Sequence, residues 1–363
     1  MNRIVSLLFI VLLLVSCNGG RGNKAAGNAA HFQYAQLLTV DSSAQGRSYI
    51  VSDPWQKGRV LQSIPARKPF HRVVVFTTSH CQLLEYLGLA DRIVGVCDAK
   101  YILIKDIQRR LRLPKGVQGK IVDCGSSMQP DIERIVALKP DAIIISPYEG
   151  MGLGELGKTG IPVILAADYM ETSSLGRAEW MRYYGRLFGC GAKADSLFHV
   201  VDSTYAALKK YASTLPKGKS LLTERMTGAT WYVPGGKSTI ATVIRDAHGG
   251  YAFADDGHSG SLPLSFEQVL AKAGQSDIWA FKYNGPGMMT KGDLLREFHG
   301  YDALKAFGTG QIYECDCTVV PYFEEVSWRP DYLLREMIQL LHPDTKLGGL
   351  RYYKKLSVAD DGR

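Results

Sequence analysis

No apolar run in this sequence is long enough to span a bilayer as a helix. The longest, Ile4 to Val15, falls short of the ~20 residues a span requires, which excludes a bundle of membrane helices such as a channel or permease. Blocks of like charge are also missing. Lysine and arginine total 43 against 35 acidic residues, and the surplus of +8 is spread along the chain rather than gathered into a basic arm, so nucleic acid is not an expected partner. Reaction signatures are absent too: there is no Gly-x-Ser-x-Gly elbow, no Walker phosphate loop and no His-Glu-x-x-His. Gly235-Gly236-Lys237-Ser238 lacks the upstream glycine of a phosphate loop and reads as a turn before a helix from Thr239. The chain is therefore not expected to be an enzyme. Its seven cysteines lack the Cys-x-x-Cys spacing of a zinc site, and no resident cofactor or metal is expected. What is present, 46% hydrophobic and 21% charged residues in a chain of 363, suits a globular protein of about two domains.

The N-terminus carries an export signal. Arg3 supplies the positive region and Ile4 to Val15 the apolar one, and Leu14-Val15-Ser16-Cys17 resembles a bacterial lipobox. That resemblance implies cleavage of residues 1–16 and a diacylglycerol on Cys17, with the Gly-, Asn- and Ala-rich residues 17–30 as a tether. The expected location is the cell envelope, facing the periplasm and held to a membrane by lipid. Six cysteines would then meet an oxidising compartment. Cys97 and Cys124 each close a short apolar run and form a disulfide candidate.

Short alternating runs predict a small β-extension over 31–69, turned by Asp53-Pro54-Trp55 and carrying no recognisable chemistry. From Val73 the pattern changes to continuous apolar strands alternating with helices, as in α/β structure with covered parallel sheets. Residues 70–191 are assigned to an N-terminal lobe and 216–345 to a C-terminal lobe, with 346–363 as a tail. Between the lobes, apolar positions from Leu197 to Leu215 follow helical spacing without Gly or Pro, predicting one connecting helix over 192–215. The expected fold class is thus α/β, two Rossmann-like lobes with parallel sheets joined by a single long helix.

Several ordered motifs within residues 70–345 resemble one family: Arg92-Ile93-Val94-Gly95-Val96, the run Asp131 to Asp141, Trp231-Tyr232-Val233-Pro234-Gly235-Gly236, Leu264 to Leu270 and Arg329-Pro330-Asp331. This is the family of substrate-binding proteins of ABC importers for iron complexes, heme and cobalamin. The resemblance implies a monomer that captures a metal-complex small molecule between its lobes and delivers it to permease subunits. A ferric siderophore-like complex is the first expectation, heme or cobalamin the alternative, and a bare zinc or manganese ion held by His80, Cys81, Cys97, Asp98 and Cys124 a third.

Glu133 and Glu267 each fall at the second position of a predicted helix, one per lobe, after the potential caps Asp131 and Ser265. Carboxylates there compensate helix dipoles anywhere. The resemblance adds that such glutamates pair with permease arginines. Ile132, Ile135 and Val136 are expected on the buried face of the first helix. Ligands of doubly wound sheets lie at strand ends. The candidate ligand residues are therefore Ser79, His80, Tyr101 and Tyr148 from the first lobe. Arg225, Trp231, Lys282, Tyr283 and Trp328 are their counterparts from the second, with Tyr148 and Trp231 as facing aromatic walls and Arg225 and Lys282 as cations for an anionic ligand.

Overall fold

The structure, a computed structural model, describes residues 32–43, 46–66 and 68–357. The expected signal peptide, Cys17 and the tether lie outside the described residues.

The described chain opens with three antiparallel strands, β1 (Leu38–Ser43), β2 (Gly46–Ser52) and β3 (Val60–Pro65). Two buried carboxylates fasten what precedes them. Glu179 accepts the backbone N–H groups of Gln33, Tyr34 and Ala35, and Glu171 accepts those of Gln36 and Leu37, all within 2.7–3.0 Å. An unpaired buried carboxylate would be costly, and an unpaired run of N–H groups equally so; each satisfies the other.

The next segment is α/β. Its elements are β4 (Val73–Val75), α1 (Thr78–Tyr86), β5 (Ile93–Val96), α2 (Lys105–Leu111), β6 (Val122–Asp123), the hairpin β7 (Gly125–Ser126) and β8 (Gln129–Pro130), α3 (Ile132–Ala137), β9 (Ala142–Ile145), α4 (Gly154–Lys158) and β10 (Val163–Leu165). Five strands pair in parallel in the order β10-β9-β4-β5-β6. The runs Val73–Val75 and Ala142–Ile145 are buried throughout, as strands covered on both faces must be. Gln62 of β3 closes the outer edge of this sheet: its side-chain amide donates to the Val163 carbonyl at 2.6 Å and its carbonyl accepts the Leu165 N–H at 2.9 Å. A side chain thus occupies backbone groups that an open edge would leave unpaired.

Two helices follow, α5 (Ser174–Leu187) and α6 (Gly191–Ser213). A Cβ on Gly185 would lie 2.3 Å from that of Ala194, so glycine there permits the close packing of the pair. Along α6, Ala194, Phe198 and Val201 enter the core of the first α/β segment, and Tyr205, Leu208 and Ala212 enter that of the second. One uninterrupted helix therefore runs from one core to the other.

The second segment contains β11 (Leu221–Thr223), β12 (Met226–Thr227), β13 (Thr230–Pro234), α7 (Thr239–Asp246), β14 (Ser261–Leu264), α8 (Phe266–Ala273), β15 (Ile278–Tyr283), α9 (Lys291–Glu297), α10 (Lys305–Gly308), β16 (Ile312–Asp316), α11 (Tyr322–Glu325), α12 (Pro330–Leu341) and β17 (Lys354–Lys355). Its main sheet is mixed: β11, β15 and β16 are parallel, while β17 joins β16 antiparallel. The expectation of a wholly parallel sheet is corrected by that last strand. The assignment of 346–363 to a tail is corrected for its described part as well. Tyr352 and Tyr353 are buried, Glu336 accepts the N–H groups of Arg351, Tyr352 and Tyr353, and Arg351 makes a bidentate pair with Glu325 at 2.6 and 2.7 Å. A third sheet, β12-β13-β14, is antiparallel. Ser238 caps α7 through the Ala241 N–H, so Gly235 to Ser238 is a turn into a helix.

Candidate functional site

In the first α/β segment the strand ends open into a cavity of about 380 Å³. Thr77 follows β4, Ser146 and Tyr148 follow β9, and the β7–β8 hairpin contributes Ser127 and Met128. Met151, Leu153 and Leu156 complete an apolar side, Glu155 also lines it, and no lysine or arginine among the described residues does. Tyr148 is 56% exposed and Met128 76%, unusual values for large apolar side chains. The loop that carries Tyr148 is held in place: the Tyr169 hydroxyl donates to the Pro147 carbonyl at 2.6 Å, and the Met151 N–H to the Tyr148 carbonyl at 3.0 Å. Tyr101 is exposed beyond β5, under the Lys100 ammonium at 4.7 Å.

Beneath the cavity lies a polar seam. Thr77 is hydrogen-bonded to His80 Nδ1, and His80 Nε2 stands 3.0 Å from both the Tyr184 hydroxyl and Asp168 Oδ1. Arg177 holds the other carboxylate oxygen at 3.1 Å. Burial pushes the Asp168 carboxyl up, but His80 and Arg177 outweigh it and hold it below the usual carboxylate range. His80 is thus an internal strut, correcting its expected place on the ligand surface. Ser79 and Trp328 are corrected likewise. Both are buried, and the Trp328 indole donates to the Ser79 carbonyl at 2.6 Å, joining the segment after α11 to α1.

The strand ends of the second segment are closed. Trp231 is fully buried and its indole donates to the Thr223 carbonyl at 2.9 Å. Its ring packs among Trp279 at 5.9 Å, Tyr301 at 5.8 Å and Phe266 at 6.4 Å. It does not face Tyr148. The side-chain period of two on β13 accounts for the error: Trp231 points inward and its neighbour Tyr232, 47% exposed, outward. Lys282 is paired with Glu224 and lies 5.5 Å from the Tyr322 ring centroid. Burial works against the Lys282 charge, but Glu224 outweighs it and pushes the pKa up. Arg225 is paired with Glu297 and stacks over half-buried Tyr283 at 5.0 Å. Each cation already holds a carboxylate, and neither lines the cavity.

Glu133 and Glu267 are exposed on the first turns of α3 and α8. Asp131 accepts the Arg134 N–H at 3.0 Å, while Ser265 and Gln268 form a reciprocal capping box. The Glu267 carboxyl is held below its usual range by its own backbone N–H and the Ser265 hydroxyl. On α3, Ile135 is buried, but Val136 is 46% exposed rather than part of the core face.

Cys97 and Cys124 sit side by side after β5 and β6, the Cys97 thiol 3.8 Å from the Cys124 carbonyl, but both are free. Burial pushes the Cys124 thiol up to about 11. Among the described residues no group of three or more His, Cys, Asp or Glu side chains is placed to hold a metal ion, which corrects the convergence expected of His80, Cys81, Cys97, Asp98 and Cys124.

An α/β chain of two core-forming segments bridged by one helix, open at the strand ends of the first, has the architecture of a two-lobe solute-binding protein. The chain belongs to the family described as periplasmic binding proteins, which it matches over residues 73–318. Such proteins bind and hand over solutes and do not catalyse. An uncharacterized lipoprotein of Methanocaldococcus jannaschii is 25% identical over 293 residues, 77% of this chain and 67% of that one. Petrobactin-binding protein YclQ of Bacillus subtilis is 32% identical over 215 residues, 58% of this chain and 59% of that protein. A solved structure described as an ABC-type Fe3+-hydroxamate transport system, from Saccharomonospora viridis, superposes with a TM-score of 0.61 at 19% identity over 81% of this chain and 98% of its own, a likeness of fold.

Proposed function

We propose that this chain is a lipid-anchored binding protein that captures a ferric siderophore-like complex and delivers it to an ABC importer, docking on the permease through Glu133 and Glu267. The observation that carries the reading is the open cavity at the ends of β4 and β9, with apolar walls and the hydroxyls of Thr77, Ser127, Ser146 and Tyr148. Such a surface matches a complex whose chelator already satisfies the metal, leaving apolar arms and a few oxygens for the protein to meet. With Arg225 and Lys282 engaged by carboxylates, a complex of low net charge suits the site better than a highly anionic one. The relative named for petrobactin binding supports an iron complex as the class of solute.

Titration calorimetry with a ferric trihydroxamate, a ferric triscatecholate, hemin and cyanocobalamin tests this. Binding of an iron complex with micromolar or better affinity is expected. Tight binding of cyanocobalamin alone would replace the reading with a corrinoid one. The double variant Glu133→Ala/Glu267→Ala should keep ligand affinity while importer-coupled uptake is lost. An equal loss of binding would show that these glutamates belong to the ligand site.

A further inference from the structure

The β-extension precedes the family match, which begins at residue 73, yet it builds a second cavity beside the first. This cavity measures about 240 Å³ and is lined on one side by Trp55, Arg59 and Leu61, and on the other by Tyr148, Met151 and Leu153. The last three also line the strand-end cavity, so Tyr148 stands on the divide.

The loop that presents Trp55 is a constructed one. Asp53, itself buried, accepts the N–H groups of Trp55 and Gln56 at 2.9 and 3.0 Å, an Asx turn. Its own N–H donates to the Arg59 carbonyl at 2.9 Å, and Gly58, at φ +83°, turns the chain back with open space where a Cβ would be. Glu171 and Glu179 tie the residues before β1 to the α/β segment, and Gln62 ties β3, which follows the loop, to the edge of its sheet. Arg59 stands 3.6 Å from Asp53 at the rim. Of the five tryptophans, Trp180, Trp231, Trp279 and Trp328 are fully buried and only Trp55 is accessible. A half-exposed indole held in a fixed turn above a cavity is poised for contact, because an aromatic plane contributes large apolar area at little entropic cost.

We infer that the Trp55 loop forms a second subsite, which takes a planar or apolar arm of the chelator whose metal centre occupies the first cavity. The inference rests on the reading that the first cavity holds an iron complex. A cavity of about 380 Å³ is near the lower end of the ~300–1,000 Å³ usual for small-molecule sites. Tyr148, Met151 and Leu153 line both cavities, so one bulky ligand that passes Tyr148 can reach the two. The extension thereby acts as a specificity element added to the scaffold.

The test uses whichever of the three iron complexes named above, the ferric trihydroxamate, the ferric triscatecholate or hemin, the protein binds most tightly. Trp55→Ala should weaken that complex about 10-fold or more, Trp55→Phe should restore affinity to within about 3-fold, and Lys57→Ala, exposed on the same loop, should change nothing. Iodide quenching gives an independent readout. It should act on wild-type fluorescence, be lost in Trp55→Phe, and be suppressed in the wild type by the gallium(III) form of the same chelator. Unchanged affinity in Trp55→Ala together with undiminished iodide quenching overturns the subsite and leaves the iron-complex reading standing. Failure of the wild type to bind any of the three iron complexes overturns both.

Discussion

The strand ends of the two α/β segments occupy equivalent places and have opposite character. After β4 and β9 the chain leaves Thr77, Ser146 and Tyr148 around an open cavity, with Met128 and Tyr148 extensively exposed. Around β11 and β15 the corresponding groups are consumed: Glu224 takes Lys282, Glu297 takes Arg225, and Trp231 lies in an aromatic cluster. Residue types suited to ligand binding are thus abundant at both ends. What separates a site from a core is whether the neighbours satisfy those groups, and partly buried charges without partners would be too costly to hold ready.

The sharpest way to break this comparison is to truncate the aromatic on each side. Trp231→Ala should destabilise the fold by about 3–5 kcal/mol, the usual cost of deleting a buried tryptophan, measured by denaturant unfolding. Its neighbour Tyr232→Ala should stay within about 0.5 kcal/mol of the wild type. A Trp231→Ala variant of wild-type stability with lost ligand affinity would return this residue to the ligand surface. Tyr148→Ala should behave in the reverse manner, with stability nearly unchanged and ligand affinity reduced by about 1–3 kcal/mol in calorimetry.

The smallest effect concerns acid. At the opposite end of the second segment, Asp277 precedes β15, and Lys305 at 2.6 Å together with Ser220 lowers its carboxyl to about 2. A carboxylate whose folded pKa lies below its unfolded value contributes stability that is present above the unfolded value. That contribution is lost as pH falls through the folded one. The wild type should therefore lose stability between about pH 4 and pH 2, and Asp277→Asn should lose less over the same interval, as read by thermal unfolding. Identical slopes would show that the pair with Lys305 is screened by solvent, since both side chains are partly exposed.

Local features were legible because short-range physics decides them. The helix expected over 192–215 runs Gly191–Ser213, since a stripe of apolar residues without Gly or Pro has few alternatives. The caps Asp131 and Ser265 could be read from the residues that follow them, and Gly235 to Ser238 as a turn into the helix from Thr239. Trp231 lies in the core although Pro234-Gly235-Gly236 beside it favours an exposed turn, because the alternation of β13 points it inward and Tyr232 outward. The anchors Glu171 and Glu179 are not legible in the sequence for a different reason: the N–H groups they accept lie 134 to 146 residues away, beyond any spacing rule.

The sequence by itself determined the alternation of strands and helices, the connecting helix, the capped turns bearing Glu133 and Glu267, and the family, because each depends on propensity, periodicity or ordered motifs within a few residues. Only the tertiary structure decided which polar and aromatic side chains stay available. Glu224 meets Lys282 across 58 residues and Glu297 meets Arg225 across 72, and Gln62 brings the extension bearing Trp55 beside Tyr148. A side chain becomes a binding group or a structural one according to the partners the folded chain supplies, and those partners come from distant parts of the sequence.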